Sequence, residues 1–153
     1  MTRSLITSLS ILLLLACNNS SSDQEKGNVS NIPQTKSDSL YQDVMKGHER
    51  GMGRFGELHR YEALLSQMVD SLARVNGKSP ESKAFRWQMD SALTHLKNAE
   101  NAMNQWMEEF DPNKEGKTEN EKIDFYSAEK NKVIRVEELI NNSLDQAKKL
   151  TNK

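Results

Sequence analysis

Cysteine occurs once in the 153 residues, at Cys17, so the chain cannot form an internal disulfide and has no second thiol for a redox pair. Proline occurs three times, at Pro33, Pro80 and Pro112, which leaves long stretches free to run as uninterrupted helix. Glycine occurs seven times, and four of these, Gly47, Gly51, Gly53 and Gly56, fall inside Met45–His59, "MKGHERGMGRFGELH". Charge of one sign is not in excess. The formal net charge is −1, with Lys and Arg interspersed among Asp and Glu, so the clustered basic surface of a nucleic-acid binder is missing. No HExxH, no GxSxG and no glycine-rich phosphate loop after a strand occurs, which argues against the commonest hydrolase and nucleotide chemistries. The Glu-x-x-His pattern of a ferritin-like carboxylate site is also missing, since "ELH" at 57–59 has the wrong spacing. The expectation is a protein that is not an enzyme.

The longest apolar run lies at the start. Arg3 is followed by Leu, Ile and small residues through Leu15, too few for the ~20 apolar residues of a membrane span. This reads as a secretory signal over 1–16. Leu14, Leu15, Ala16 and Cys17 resemble the bacterial lipobox. The resemblance implies diacylglycerol on Cys17, cleavage before it and acylation of the new amine. Two or more chains anchor stably where one does not, at about 0.8 kcal/mol per buried CH₂. Removing Arg3 with the signal takes the formal charge to −2. No dissociable cofactor is expected.

Residues 17–38 read as a lipidated cysteine and a flexible tether, too polar to fold. About 20 such residues span on the order of 25 Å. Asn18 directly after the anchor resembles an outer-membrane lipoprotein, facing the periplasm or the surface, and Asp23 and Glu25 resemble the acidic export signals of surface lipoproteins.

From residue 39 the pattern predicts an all-α, antiparallel up-down-up bundle of three long helices, about 39–75, 80–110 and 118–151. Ser39 with Gln42 and Thr118 with Glu121 make capping boxes, Asn76-Gly77 is a stop, Ser79-Pro80 is an N-cap and N1 pair, and Asp111-Pro112 ends the second helix. Phe85, Met89, Ala92, Leu96, Ala99, Met103, Trp106 and Phe110 repeat by three and four, the stripe of a bundle or coiled coil. Ile123, Tyr126, Val133, Val136, Ile140, Leu144, Ala147 and Leu150 form the stripe of the third helix, and Leu40, Val44, Phe55, Leu58, Leu65, Val69 and Leu72 that of the first, with Gly47 and Gly51 on it. Roughly 115 residues suffice for a core. Glu129, Glu137 and Glu138 read as members of a solvated mixed-charge face.

The glycine segment admits two readings. An antiparallel register places His48 and Met52 opposite Met107 and Met103, and Met103 and Met107 near Phe125 and Lys122. One end of the bundle then gathers Tyr41, Phe55, Trp106, Phe110, Phe125 and Tyr126. Gly47 and Gly51 read as shallow holes for these bulky rings, with a kink at Gly51-Met52-Gly53. In the second reading, Met45, His48 and Met52 share a helix face, and Met103 and Met107 approach from the second helix. Thioether and imidazole donors suit Cu(I), or a haem iron. His59 and His95 also fall opposite each other, most simply as a solvated pair.

"VMKGHERGM" (44–52), "AMNQWMEEFDP" (102–112) and the closing "DQAKKL" resemble a family of small lipoproteins, mostly from the Bacteroidota, labelled "viral A-type inclusion protein". That label descends from weak coiled-coil similarity. The family tends to carry Asp-Glu after the histidine and proline after the second methionine, where this chain has Glu49-Arg50 and Gly53. The resemblance implies a lipid anchor and a helical body, and it carries over no established activity. The reading is a membrane-anchored envelope lipoprotein that acts as an interaction or structural module. It would meet an envelope protein, with a homo-oligomer possible and no nucleic acid; a small copper or haem protein is the alternative.

Overall fold

A computed structural model describes residues 34–74 and 79–152. The signal over 1–16, the lipobox Leu14, Leu15 and Ala16, Cys17, the tether to residue 33 and the Asn76-Gly77 stop lie outside them. The described residues belong to one compact unit, 32–153. They form α1 (Lys36–Met52), α2 (Phe55–Arg74), α3 (Pro80–Glu109), a 3₁₀ turn at Pro112–Lys114, and α4 (Glu119–Thr151). The architecture is the all-α bundle of three helices, with its first helix bent into α1 and α2.

The helix starts follow local chemistry. α1 begins at Lys36 rather than at residue 39, because Thr35 is the N-cap: its hydroxyl accepts from the Asp38 amide at 3.0 Å, and Asp38 Oδ2 accepts from the Thr35 amide at 3.0 Å. Ser37 then donates its amide and hydroxyl to the Glu119 carboxylate at 3.0 and 2.8 Å, which ties the first turn of α1 to the first turn of α4. The expected Ser39–Gln42 box is therefore displaced, and the tether ends a few residues early. Ser79 caps α3 with Pro80 next, and the Thr118–Glu121 capping box opens α4. Gly116 has φ +86°, and a Cβ there would lie 2.5 Å from Glu121 Cβ, so the connection before α4 needs glycine.

The single helix expected over 39–75 breaks at Gly53-Arg54. The Gly53 amide still reaches Glu49 O at 2.9 Å, but the Arg54 amide bonds Gly51 O at 3.0 Å, a tightened i→i−3 closure that turns the axis. α1 consequently lies along α4, and α2 along α3. α1 and α4 run in the same direction, as the pairs Ser37–Glu119, Asp43–Lys130 and Arg50–Glu137 show.

Val44, Leu58, Leu65, Met89, Leu96, Met103, Val133, Ile140 and Leu144 are fully buried. At about 25 cal/mol per Å² of apolar area, each contributes roughly 1.5–3 kcal/mol relative to exposure. Gly47 and Gly51 are buried on the α1 stripe, as the spacing predicts, but their occupants differ from the expected aromatic rings. A Cβ on Gly47 would lie 2.8 Å from Val133 Cγ1. One on Gly51 would lie 2.2 Å from the Met103 methyl and 3.4 Å from Ile140 Cδ1. α1 is thus notched to seat aliphatic side chains of α4 and α3. Gly56 has nothing within 4 Å, so it makes no such hole.

Candidate functional site

The most distinctive constellation lies where the start of α1, the end of α3 and the start of α4 meet. Aromatic rings form a continuous ladder. Tyr41 meets Tyr126 at 5.4 Å between centroids, Tyr126 meets Phe125 at 5.1 Å, Phe125 meets Phe110 at 6.3 Å, and Phe110 stacks on Trp106 at 5.0 Å. The His48 imidazole closes the ladder, 5.7 Å from Trp106. Five of the six expected aromatics therefore gather. Phe55 does not join them: the bend turns it onto the following helix, where it meets the His59 ring at 6.1 Å.

The expected register across the second turn is off by about six residues. Phe110 faces Phe125, and Trp106 faces Glu129, rather than Met103 and Met107 lying near Phe125 and Lys122. The chain runs on through the 3₁₀ turn before reversing, so α4 starts beyond the end of α3 and pairs its first turn with α1.

Two polar networks hold the ladder. Trp106 Nε1 donates to Glu129 Oε2 at 3.0 Å, and Lys132 donates to Glu129 Oε1 at 2.8 Å. Glu129 is thus buried rather than solvated, and its position three residues after Tyr126 and four before Val133 is the signal that places it on the apolar stripe. Lower in the ladder, Tyr126 OH and Lys122 Nζ both donate to Glu115 at 2.5 Å. Burial and then the neighbouring carboxylate push the Tyr126 hydroxyl well above the ordinary tyrosine range.

Of the five expected donors, the fold brings two into direct contact. His48 Nε2 lies 3.1 Å from Met107 Sδ, as the first register predicts. His48 Nδ1 is buried with no protein partner. Met103 is fully buried with its methyl in the Gly51 notch, so it serves packing. Met45 and Met52 are half-buried on the His48 face of α1, and Met52 packs against the core. Among the described residues, no group of three or more His, Cys, Asp or Glu converges as metal ligands.

The opposed His59 and His95 do not pair. His59 bonds Glu100 Oε1 at 2.9 Å, and His95 Nδ1 bonds Gln146 Oε1 at 2.5 Å across to α4. On α3 it is Glu100, not His95, that His59 reaches. Beside His59, Glu62 has a buried Oε1 without a partner, and burial followed by the Glu100 charge raises its pKa. A raised carboxyl pKa favours the folded state below the unfolded value, and that contribution is lost as pH rises through the folded value. Glu62→Gln is therefore expected to raise Tm at pH 7 and to leave it unchanged near pH 4, measured by thermal melts at both.

A second surface lies at the other end. Leu64, Gln67, Met68, Ser71 and Leu72 of α2 and Phe85 of α3 line an apolar groove of about 410 Å³. Sequence periodicity assigned Leu72 and Phe85 to the core and did not mark Leu64 and Met68, which form a second apolar row on α2 at i, i+4. Nearby on α3, Trp87 is 71% exposed.

These features define a three-helix bundle with a bent first helix, an aromatic cluster at one end and an apolar groove at the other. Among the described residues, no helix is long and apolar enough to cross a membrane. The chain matches no family model, no curated protein and no solved structure.

Proposed function

We propose that this protein is a lipid-anchored envelope lipoprotein whose bundle is a non-enzymatic interaction module. The lipobox at Leu14–Cys17 and the resemblance to small Bacteroidota lipoproteins support the anchor, and Asn18 favours the outer membrane. The observation that carries the interaction reading is the placement of the apolar groove. The chain from Cys17 enters the bundle at Lys36, beside Glu119, whereas Leu64, Met68, Leu72 and Phe85 lie at the opposite end. At 1.5 Å per residue, the 30 residues of α3 separate the two ends by about 45 Å. We read this groove, at the end of the bundle opposite the one the chain enters, as the surface that meets an envelope protein partner.

Two experiments test this reading. Cys17→Ser should abolish incorporation of radiolabelled fatty acid, and continued labelling would sink the anchor. A photo-crosslinking side chain at Leu64 or Trp87 should trap a protein in intact cells, whereas one at exposed Glu49 should not. Equal trapping from all three positions would refute a dedicated binding end.

A further inference from the structure

Beyond the interaction reading, we propose that His48 and Met107, beside the indole of Trp106, form a site for a soft monovalent cation, Cu(I) or Ag(I). A neutral histidine carries one N–H and one lone pair. With the proton on Nε2, the ring donates to a thioether, a weak acceptor, and the buried Nδ1 lone pair is left without a partner. With the proton on Nδ1, lone pairs on Nε2 and Met107 Sδ face each other at 3.1 Å. Neither tautomer makes a satisfied hydrogen-bonding site in the protein alone. The second tautomer turns two soft donors toward each other in contact, and a swing of the flexible Met107 thioether would let a cation bond to both in place of their repulsion.

The donors at this place suit a soft cation. Trp106 lies 5.7 Å from the His48 ring and is held by Glu129 and by stacking on Phe110, so a rigid π face adjoins the site. Met45 and Met52 stand three and four residues from His48 on the same helix face, which adds further thioethers to that side of α1. Zinc sites are built from three or four His, Cys or carboxylate ligands, and no such group exists among the described residues. The donor set is imidazole and thioether, which selects a soft d¹⁰ ion.

The test uses the full chain carrying Cys17→Ser, which removes the only thiol, and Trp87→Phe, which leaves Trp106 as the only indole. Titration with silver nitrate should change Trp106 emission with saturation at one equivalent. It should move the His48 ring resonances more than those of His59 and His95, and raise Tm by several degrees. His48→Leu and the near-isosteric Met107→Leu should each weaken binding at least tenfold with circular dichroism unchanged. An excess of Zn(II) should not displace Ag(I). Absence of a saturable one-equivalent response, unchanged affinity in folded Met107→Leu, or displacement by Zn(II) would overturn the site. None of these outcomes bears on the apolar groove, so the two readings stand or fall separately.

Discussion

Trp106→Ala is expected to lower the unfolding free energy by about 3–5 kcal/mol, read from urea denaturation, the largest loss for any single side chain in this fold. The indole stacks on Phe110, adjoins His48, and is the buried donor to Glu129. Truncation removes the ring from the centre of the ladder and leaves a buried carboxylate with Lys132 alone. The polar share can be separated. Trp106→Phe keeps much of the apolar surface but orphans Glu129 Oε2, and should cost about 1–3 kcal/mol. Adding Glu129→Leu to Trp106→Phe should recover most of that loss, since removing both partners is far less costly than removing one. The Glu129→Leu single variant completes the cycle, and a double loss equal to the sum of the two single losses would show that the Trp106–Glu129 hydrogen bond carries no coupling energy.

Gly47→Leu is expected to cost about 3 kcal/mol, the upper end of the usual overpacking range. Even a Cβ at this position meets Val133 Cγ1 at 2.8 Å, and Val133 is a short branched side chain with no slack. A leucine must push α1 off α4. The same change at Gly56 should instead stabilise by up to about 1 kcal/mol, because helix propensity improves and nothing lies within 4 Å. The matched pair separates the steric explanation from the conformational one. Equal destabilisation at both sites would show that the notch at Gly47 has no special role.

Most of the fold was legible in the sequence, because bundle cores repeat at a simple period. The α3 stripe from Met89 to Trp106 is buried throughout, and the Thr118–Glu121 box opens α4 where it should. Three features escaped. Thr35 with Asp38 is a capping box built with the shorter acid, so Ser39 with Gln42 looked better. The overlap of α4 beyond α3 depends on a 3₁₀ turn, and turn geometry fixes a register that periodicity cannot. Tyr61 and Glu129 are buried despite their polar atoms, one as an amphipathic ring under the Arg60 guanidinium and the other through a hydrogen bond from a distant indole. Within the candidate site, the His48–Met107 contact followed from register alone. The use of Met103 to fill the Gly51 notch did not, since a methionine in a stripe carries no mark of what its methyl will touch.

The parallel pairing of α1 with α4 also sets how the bundle bears a mechanical load. A pull on the chain entering at Lys36 acts along α1, toward the start of both helices, so the contact between them is loaded in shear rather than peeled. Val133 must leave the Gly47 notch at the same moment as the Ser37–Glu119, Asp43–Lys130 and Arg50–Glu137 pairs part. Breaking several contacts together takes more force than breaking them in turn. A glycine notch that looks like a packing detail then acts as an interlock that resists sliding of α1 along α4.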